Sequence, residues 1–232
     1  MKRLAIIPAR GGSKRIPRKN IKNFLGKPII AYSIEAAIAS DLFDEVMVST
    51  DDEEISKIAK EFGAKVPFLR SSKNSDDFAT TTEVIAEVLQ QYEITGSVYD
   101  TVCCIYPTAP LITLNRLTEG YHLLEKYTFN SVIPVVRFSF PIQRAVKISK
   151  DSQITFFQPE HINTRSQDLE ISYHDSGQFY WFRTESFKVN PTIWNHKTGA
   201  IELNQTEVQD IDTLEDWKMA ELKYQMLNED KT

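Results

Sequence analysis

Cysteine is nearly absent from this chain of 232 residues: only Cys103 and Cys104 occur, side by side in an apolar run. With no CxxC partner they argue against both a disulfide framework and a structural zinc site, and they read as small core residues in a reducing compartment. Long hydrophobic runs are missing as well. Nothing approaches the roughly 20 apolar residues that span a bilayer. The opening stretch, Met1 to Pro8, has too short an apolar run for a secretory signal and no small-residue cleavage site after it. The expectation is a cytoplasmic protein without a membrane partner. The sequence also lacks GxxxxGK[ST], GxGxxG, GxSxG and HExxH, which weakens Walker-type kinase, dinucleotide-dehydrogenase and hydrolase readings. A net charge of −5 argues against a general nucleic-acid binder.

One absence is local. No acidic residue precedes Glu35, while residues 2–27 hold nine basic ones: Lys2, Arg3, Arg10, Lys14, Arg15, Arg18, Lys19, Lys22 and Lys27. The other eighteen basic residues face all 32 acids. A single basic segment on an acidic chain suits a small polyanion such as a nucleoside triphosphate, although a solvated basic face is the plain alternative. The segment has no interleaved aromatics on which bases could stack, so nucleic acid is not the expected partner.

The hydrophobic pattern predicts alternating strands and helices. Residues 3–8, 45–49, 65–69, 101–106 and 131–137 read as strands, and 28–40, 80–92 and 114–127 as helices. Ile55, Ile58, Ala59 and Phe62 mark one face of a further helix, with Thr50 and Glu53 offering a capping box at its start and Gly63 its stop. The alternation implies βαβ units, a mostly parallel sheet with helices on both faces, and ligands at the strands' C-terminal edge. Residues 138–165 break the alternation and read as an inserted hairpin or arm. Residues 178–182 form a late strand. Leu214, Trp217, Ala220, Tyr224 and Leu227 lie along one face of a final helix. All 232 residues are expected to form a single domain, with 138–170 as the arm.

The densest signal is the segment Ile7 to Asn20, IPARGGSKRIPRKN, directly after the first strand. Gly11 and Gly12 let the backbone approach a ligand, and loops of this kind form anion-binding nests of backbone N–H groups. Arg10, Lys14 and Lys19 are candidate charge-assisted donors to phosphates. Far along the chain, Asp210 and Asp212 are spaced to share one side of an extended segment. Paired carboxylates suit a hard cation such as Mg²⁺; an Asp-rich helix cap is the alternative.

These segments together resemble the CMP-sialic acid synthetases and their sugar-nucleotidyltransferase relatives, in order and over nearly the whole chain. Besides the first loop, the resemblance rests on Val48-Ser49-Thr50-Asp51, on Phe68-Leu69-Arg70 followed by Asp76-Asp77 and Thr80-Thr81-Thr82, on Pro107-Thr108-Ala109-Pro110, on Arg165-Ser166-Gln167-Asp168, and on Asp210-Ile211-Asp212. It implies a Rossmann-like nucleotidyltransferase fold, a homodimer joined through the arm, and transfer of CMP from CTP to an acidic nine-carbon sugar. On that resemblance Arg10, Lys19 and Asp210 are the catalytic candidates. Ala9, Arg10, Gly11, Gly12, Ser13, Lys14, Lys19, Asn20, Arg70, Thr81, Pro107 and Thr108 would bind the nucleotide. Tyr106, Arg165, Gln167, Asp168, His174 and Asp175 would face the sugar. Asp210 and Asp212 would hold Mg²⁺. Arg165 is the candidate for the sugar carboxylate, with Arg144 on the same arm as its competitor, and no residue stands out as general base.

Two departures concern the sugar. Tyr106 stands where the sialic acid enzymes have Gln. The stretch His174-Asp175-Ser176-Gly177-Gln178-Phe179-Tyr180-Trp181 resembles the form found in pseudaminic acid cytidylyltransferases instead of an Asn-Gly element. Pseudaminic acid, for bacterial surface glycans, is therefore the expected substrate, with sialic, legionaminic or another keto-sugar acid as the alternative. A non-catalytic nucleotide-binding protein is the rival from another class, and the intact Asp210/Asp212 pair argues against it.

Overall fold

The apolar runs predicted as strands, 65–69 excepted, assemble into one sheet. The structure is a computed structural model that describes residues 1–229. Along the chain come β1 (Arg3–Pro8), the small hairpin β2 (Asn23–Phe24) and β3 (Lys27–Pro28), α1 (Ile29–Ala39), β4 (Glu45–Ser49) and α2 (Glu53–Glu61). Then follow α3 (Thr81–Ile94), β5 (Thr101–Ile105), α4 (Leu114–Lys126), β6 (Ser131–Arg137), the hairpin β7 (Val146–Ile148) and β8 (Ile154–Phe156), and β9 (Tyr173–Asp175). The chain continues with β10 (Phe179–Arg183), α5 (Thr184–Val189), β11 (Thr198–Leu203) and α6 (Leu214–Glu229).

The main sheet has the order β11-β6-β10-β5-β1-β4, with β9 also paired to β6. β1, β4, β5, β6 and β11 run in one direction; β9 and β10 run against them. The sheet is thus mostly parallel, with the antiparallel β10 wedged between β5 and β6. Because β10 is reversed, its first residue, Phe179, lies opposite Ile105 at the end of β5. The loops after β1, β4, β5 and β6 and the turn before β10 therefore converge on one edge.

Side chains on β1 alternate between two cores, as the pleat requires. Ala5 and Ile7 pack with Ile30 and Ile34 of α1, Ile55 of α2 and Leu117 of α4. Leu4 and Ile6 pack with Ile85 and Val88 of α3 and Phe187 of α5. Helices thus cover both faces. A third cluster joins Ile16, from the basic loop, to Phe24, Ile29, Ile211 and Trp217. It matters for the site, because it ties the basic loop to the segment bearing Asp210 and Asp212.

Several local expectations need correction. Residues 65–69 form no strand: Lys65 makes only an isolated bridge to Met47, and Pro67 has no N–H to extend a ladder. The cap of α2 is Asp52, whose side chain accepts from Ile55 N, rather than Thr50. Neither is Asp212 the cap of α6. Thr213 takes that place: its Oγ accepts from Asp216 N, and Asp216 accepts from Thr213 N in return. Residues 208–211 are not part of a strand. Leu214 is exposed, so the apolar face of α6 begins at Trp217. β11 and α5 are additions that pattern reading had not anticipated. The arm leaves after β6, and among the described residues β7 and β8 pair only with each other.

Candidate active site

The loop after β1 is strapped down at several points. Ala9 is fully buried and its N–H donates to Ser49 O at 2.9 Å. Gly11 N–H donates to Asp51 Oδ1 at 2.9 Å. A Cβ at Gly11 would stand 2.7 Å from Asp52 Oδ2, so only glycine fits this approach to α2. Arg18 has a left-handed backbone, φ 55°, and its guanidinium grips both oxygens of Asp52, at 2.5 and 3.1 Å, as well as Glu54. Asn20 closes the loop on itself by donating to Arg10 O at 2.9 Å. Burial of Ile16 anchors its middle.

So held, the loop forms one wall of a cleft of about 450 Å³. Arg10, Gly12, Ser13, Lys14, Lys19 and Asn20 line it, together with Arg70, Thr81, Tyr106, Pro107 and Thr108 from the edges of other elements. Of the nucleotide-binding expectations only Ala9 and Gly11 are not in the lining, and both instead hold the loop in place. Arg70 is buried, its guanidinium donating to Ser49 Oγ at 3.1 Å and Ser49 O at 2.5 Å. Loss of water lowers its pKa, with Asp51 and Glu87 opposing.

The two carboxylates lie next to this cleft. Lys19 Nζ donates to Ile211 O at 2.5 Å and stands 3.7 Å from Asp212 Oδ1. Arg15, a cleft residue that sequence reading had not selected, pairs with Asp212 Oδ2 at 2.6 Å. Burial lowers the pKa of Lys19, opposed by Asp212 and Asp210. Asp210 is raised above the usual carboxylate value, first by partial loss of water and then by the charge of Asp212. Asp210 makes no side-chain hydrogen bond within the chain's described residues, which leaves its oxygens available. Among those residues no group of three or more His, Cys, Asp or Glu side chains converges on one point. The free oxygens of Asp210 suit a hard cation that completes its shell from water and phosphate oxygens, and Asp212 could join it by giving up its pairing with Arg15.

Asp210 and Asp212 also line a second cleft, of about 520 Å³, with Phe138, His174, Asp175 and Ser176. His174 Nδ1 lies 2.8 Å from Asp175 O, so Nδ1 carries the proton in that contact. Asp175 accepts from Gly177 N at 3.0 Å and from Tyr180 Oη at 2.7 Å. The ring of Tyr180 meets Tyr106 edge-on at 5.3 Å, and the Tyr106 hydroxyl lies 3.3 Å from Thr81 Oγ1. Burial raises the pKa of Tyr106, so it stays a neutral donor. Tyr106, expected to face the sugar, thus lines the first cleft, and Tyr180 links it to Asp175 of the second. Lys223 also lines the second cleft and had not been selected. Arg165, Gln167 and Asp168 are not brought to either cleft of this chain. They are exposed on the arm, with Arg165 forking onto Asp168 at 2.8 and 3.3 Å. Arg144 sits beside them, donating to Ser166 Oγ.

A family model described as Cytidylyltransferase matches residues 4–224. The chain is 42% identical over 229 residues to the pseudaminic acid cytidylyltransferase of Campylobacter jejuni subsp. jejuni serotype O:23/36 (strain 81-176), covering 99% of both chains. It is 33% identical over 237 residues to the CMP-N,N'-diacetyllegionaminic acid synthase of Legionella pneumophila subsp. pneumophila (strain Philadelphia 1), again covering 99% of each. Its fold is shared with a CMP:2-keto-3-deoxy-manno-octonic acid synthetase solved in complex with CTP, at a TM-score of 0.69 and 18% identity over 99% of this chain and all of that one. With the family's pattern matched from β1 into α6, the chain belongs to the cytidylyltransferase family of nucleotidyltransferase enzymes.

Proposed function

We propose that this enzyme joins CTP to pseudaminic acid, giving CMP-pseudaminic acid and pyrophosphate for bacterial surface glycans. The observation that carries the reading is a site with two adjoining parts: a cation-lined cleft behind the β1 loop and a second cleft floored by Asp210 and Asp212, both at one sheet edge. The 42% identity to a pseudaminic acid cytidylyltransferase over 99% of the chain supports the choice of sugar.

In this reading CTP lies in the first cleft. Arg10, Lys14 and Lys19 neutralise its phosphates, and Arg15 joins them from the same loop. Arg70, Thr81, Pro107 and Thr108 surround the nucleoside. The sugar occupies the second cleft beside His174 and Asp175, with Tyr106 reaching it from the first cleft's side. Its anomeric hydroxyl attacks the α-phosphorus and gives up its proton to solvent as the bond to the β-phosphate breaks and pyrophosphate leaves in line. Catalysis is then chiefly positioning and charge neutralisation. Asp210 and Asp212 would hold Mg²⁺, which would supply positive charge against the phosphates.

The arm supports a homodimer. It exposes Phe140 at 81% and Phe157 at 64%, with Ile148 and Ile154 also in solvent. A second copy would bury them and is the route by which Arg165 could reach a sugar. Among the described residues no helix is long and apolar enough to cross a membrane; the two reduced, buried cysteines favour the cytoplasm.

The reading is tested by incubating the protein with CTP, Mg²⁺ and pseudaminic acid and weighing the products. A CMP-linked sugar formed in step with pyrophosphate is expected. Unconsumed CTP would overturn the reading. So would CMP and pyrophosphate released together without a linked sugar.

A further inference from the structure

The loop between α2 and α3 carries an acidic side chain that the proposed chemistry does not use. Asp77 points at the cations of the first cleft. Its Oδ1 lies 2.6 Å from Arg10 Nη1, and its Oδ2 makes a short contact with Lys14 Nζ. The same Arg10 nitrogen also donates to Asp76 O at 3.1 Å. Arg10 therefore meets this loop at two points, one backbone and one side chain. The loop is itself ordered locally: Asp76 Oδ1 accepts from the N–H groups of Phe78 and Ala79, at 2.9 and 2.8 Å. Ala79 and Thr81, just beyond, line the cleft opposite the basic loop.

Placed together, these contacts make Asp77 a bridge between the cleft's two walls. Two cations that would repel one another are drawn to one carboxylate, which sets their spacing and aims their remaining N–H groups. The bridge is also the only ion pair that Arg10 and Lys14 make within the described residues. We infer that Asp77 is a positioning residue for nucleotide binding: it holds Arg10 and Lys14 as a preset pair for the triphosphate and fixes that pair relative to the nucleoside wall at Ala79–Thr81. This inference rests on the nucleotide reading of the first cleft. The opposite arrangement, in which Asp77 occupies the cations and the phosphates must displace it, predicts changes of the opposite sign.

The test compares the wild-type enzyme with Asp77→Asn and Asp77→Glu. Calorimetry measures binding of inorganic tripolyphosphate, which reports the phosphate arm alone, and of CTP. Kinetics give KM for CTP and for the sugar acid separately, and thermal unfolding controls for the fold. Asp77→Asn should weaken tripolyphosphate and CTP binding by roughly two- to fivefold for each cation released, the scale of a solvent-exposed pair. KM for CTP should rise with it, KM for the sugar should hold, and the melting temperature should not move. Asp77→Glu, which keeps the carboxylate, should recover part of the loss. Unchanged binding would overturn the inference, and tighter binding in Asp77→Asn would establish the competing arrangement. Wild-type protein that binds neither probe would remove the nucleotide reading and this inference with it. Wild-type protein that binds both with no difference in Asp77→Asn would remove only the inference.

Discussion

Gly11→Ala is the substitution whose effect can be worked most fully from the structure. The added methyl would lie 2.7 Å from Asp52 Oδ2, 3.0 Å from its Cβ and 3.2 Å from its Cγ. A flexible carboxylate on the surface would swing away at little cost, but Asp52 is committed twice. It caps α2 through Ile55 N at 2.9 Å, and it receives both arms of the Arg18 fork. Moving it gives up a helix cap, worth about 1 kcal/mol, and loosens the pairing with Arg18. Leaving it in place forces the loop outward at the cost of overpacking, about 1–3 kcal/mol. Either way the variant should lose about 2 kcal/mol, which for a domain of this size lowers Tm by roughly 4–8 °C. The displaced loop also carries Arg10 and Lys14, so KM for CTP should rise, by about tenfold or more for a misplacement near 1 Å. Gly12→Ala provides the internal control. Among the described residues a Cβ there meets nothing within 4 Å, and the backbone is not left-handed, so its Tm should stay within about 1 °C of wild type. Thermal unfolding of both variants with CTP kinetics decides the matter. If Gly11→Ala melted and bound CTP like wild type, the strapped-loop reasoning would be refuted.

Other expectations follow from the same contacts. Asp210→Asn should lower kcat by roughly a hundredfold or more with an unchanged melting curve, as expected for a group acting at the reacting phosphate; steady-state rates with Mg²⁺ check this, and full activity would remove Asp210 from the site. Glu207 is held below the usual carboxylate range, first by its hydrogen bonds from Arg116, and it is 14% exposed. A depressed folded pKa contributes stability above the unfolded value, about 4.3, and loses it as pH falls through the folded pKa. Glu207→Gln should therefore cost about 1–3 kcal/mol at neutral pH, and the gap to wild type should shrink below about pH 4.3; urea titrations across pH measure it, and a gap that widened in acid would contradict the assignment. Burial pushes the Cys104 thiol up to about 12 and Cys103 well above its usual value. Neither should react with a thiol reagent until the protein unfolds, and labelling of the native state would show that strand β5 opens.

Much of this was legible along the chain, and the reasons differ by element. The β1 strand and its loop declared themselves because an apolar run ends abruptly in Gly, Arg and Lys, a composition with few other uses. The cap of α2 was misplaced because Thr50 and Asp52 are both good capping residues. What selects Asp52 is Arg18, 34 positions away, and no local pattern records that. The expected strand at 65–69 failed on Pro67. β11 has the alternation of a strand, but it lies between loops, after a helix too short to show a period. The antiparallel sense of β10 was invisible because its residues are buried on both faces, so their pattern carries no direction. Within the site, Arg15 was hidden among nine basic residues of one segment, and only the fold shows that it meets Asp212. Asp77 sat in a motif already noted, yet its target, Arg10, is 67 positions away.

The most direct measurement is pyrophosphate release with CTP and Mg²⁺, run in parallel with pseudaminic acid, N-acetylneuraminic acid and legionaminic acid. The account predicts release with pseudaminic acid at a kcat/KM at least about tenfold above the others, the discrimination that one or two sugar contacts in the second cleft can supply. Preference for N-acetylneuraminic or legionaminic acid would contradict the role given to Tyr106, His174 and Asp175, and no release with any of the three would contradict the proposed reaction itself.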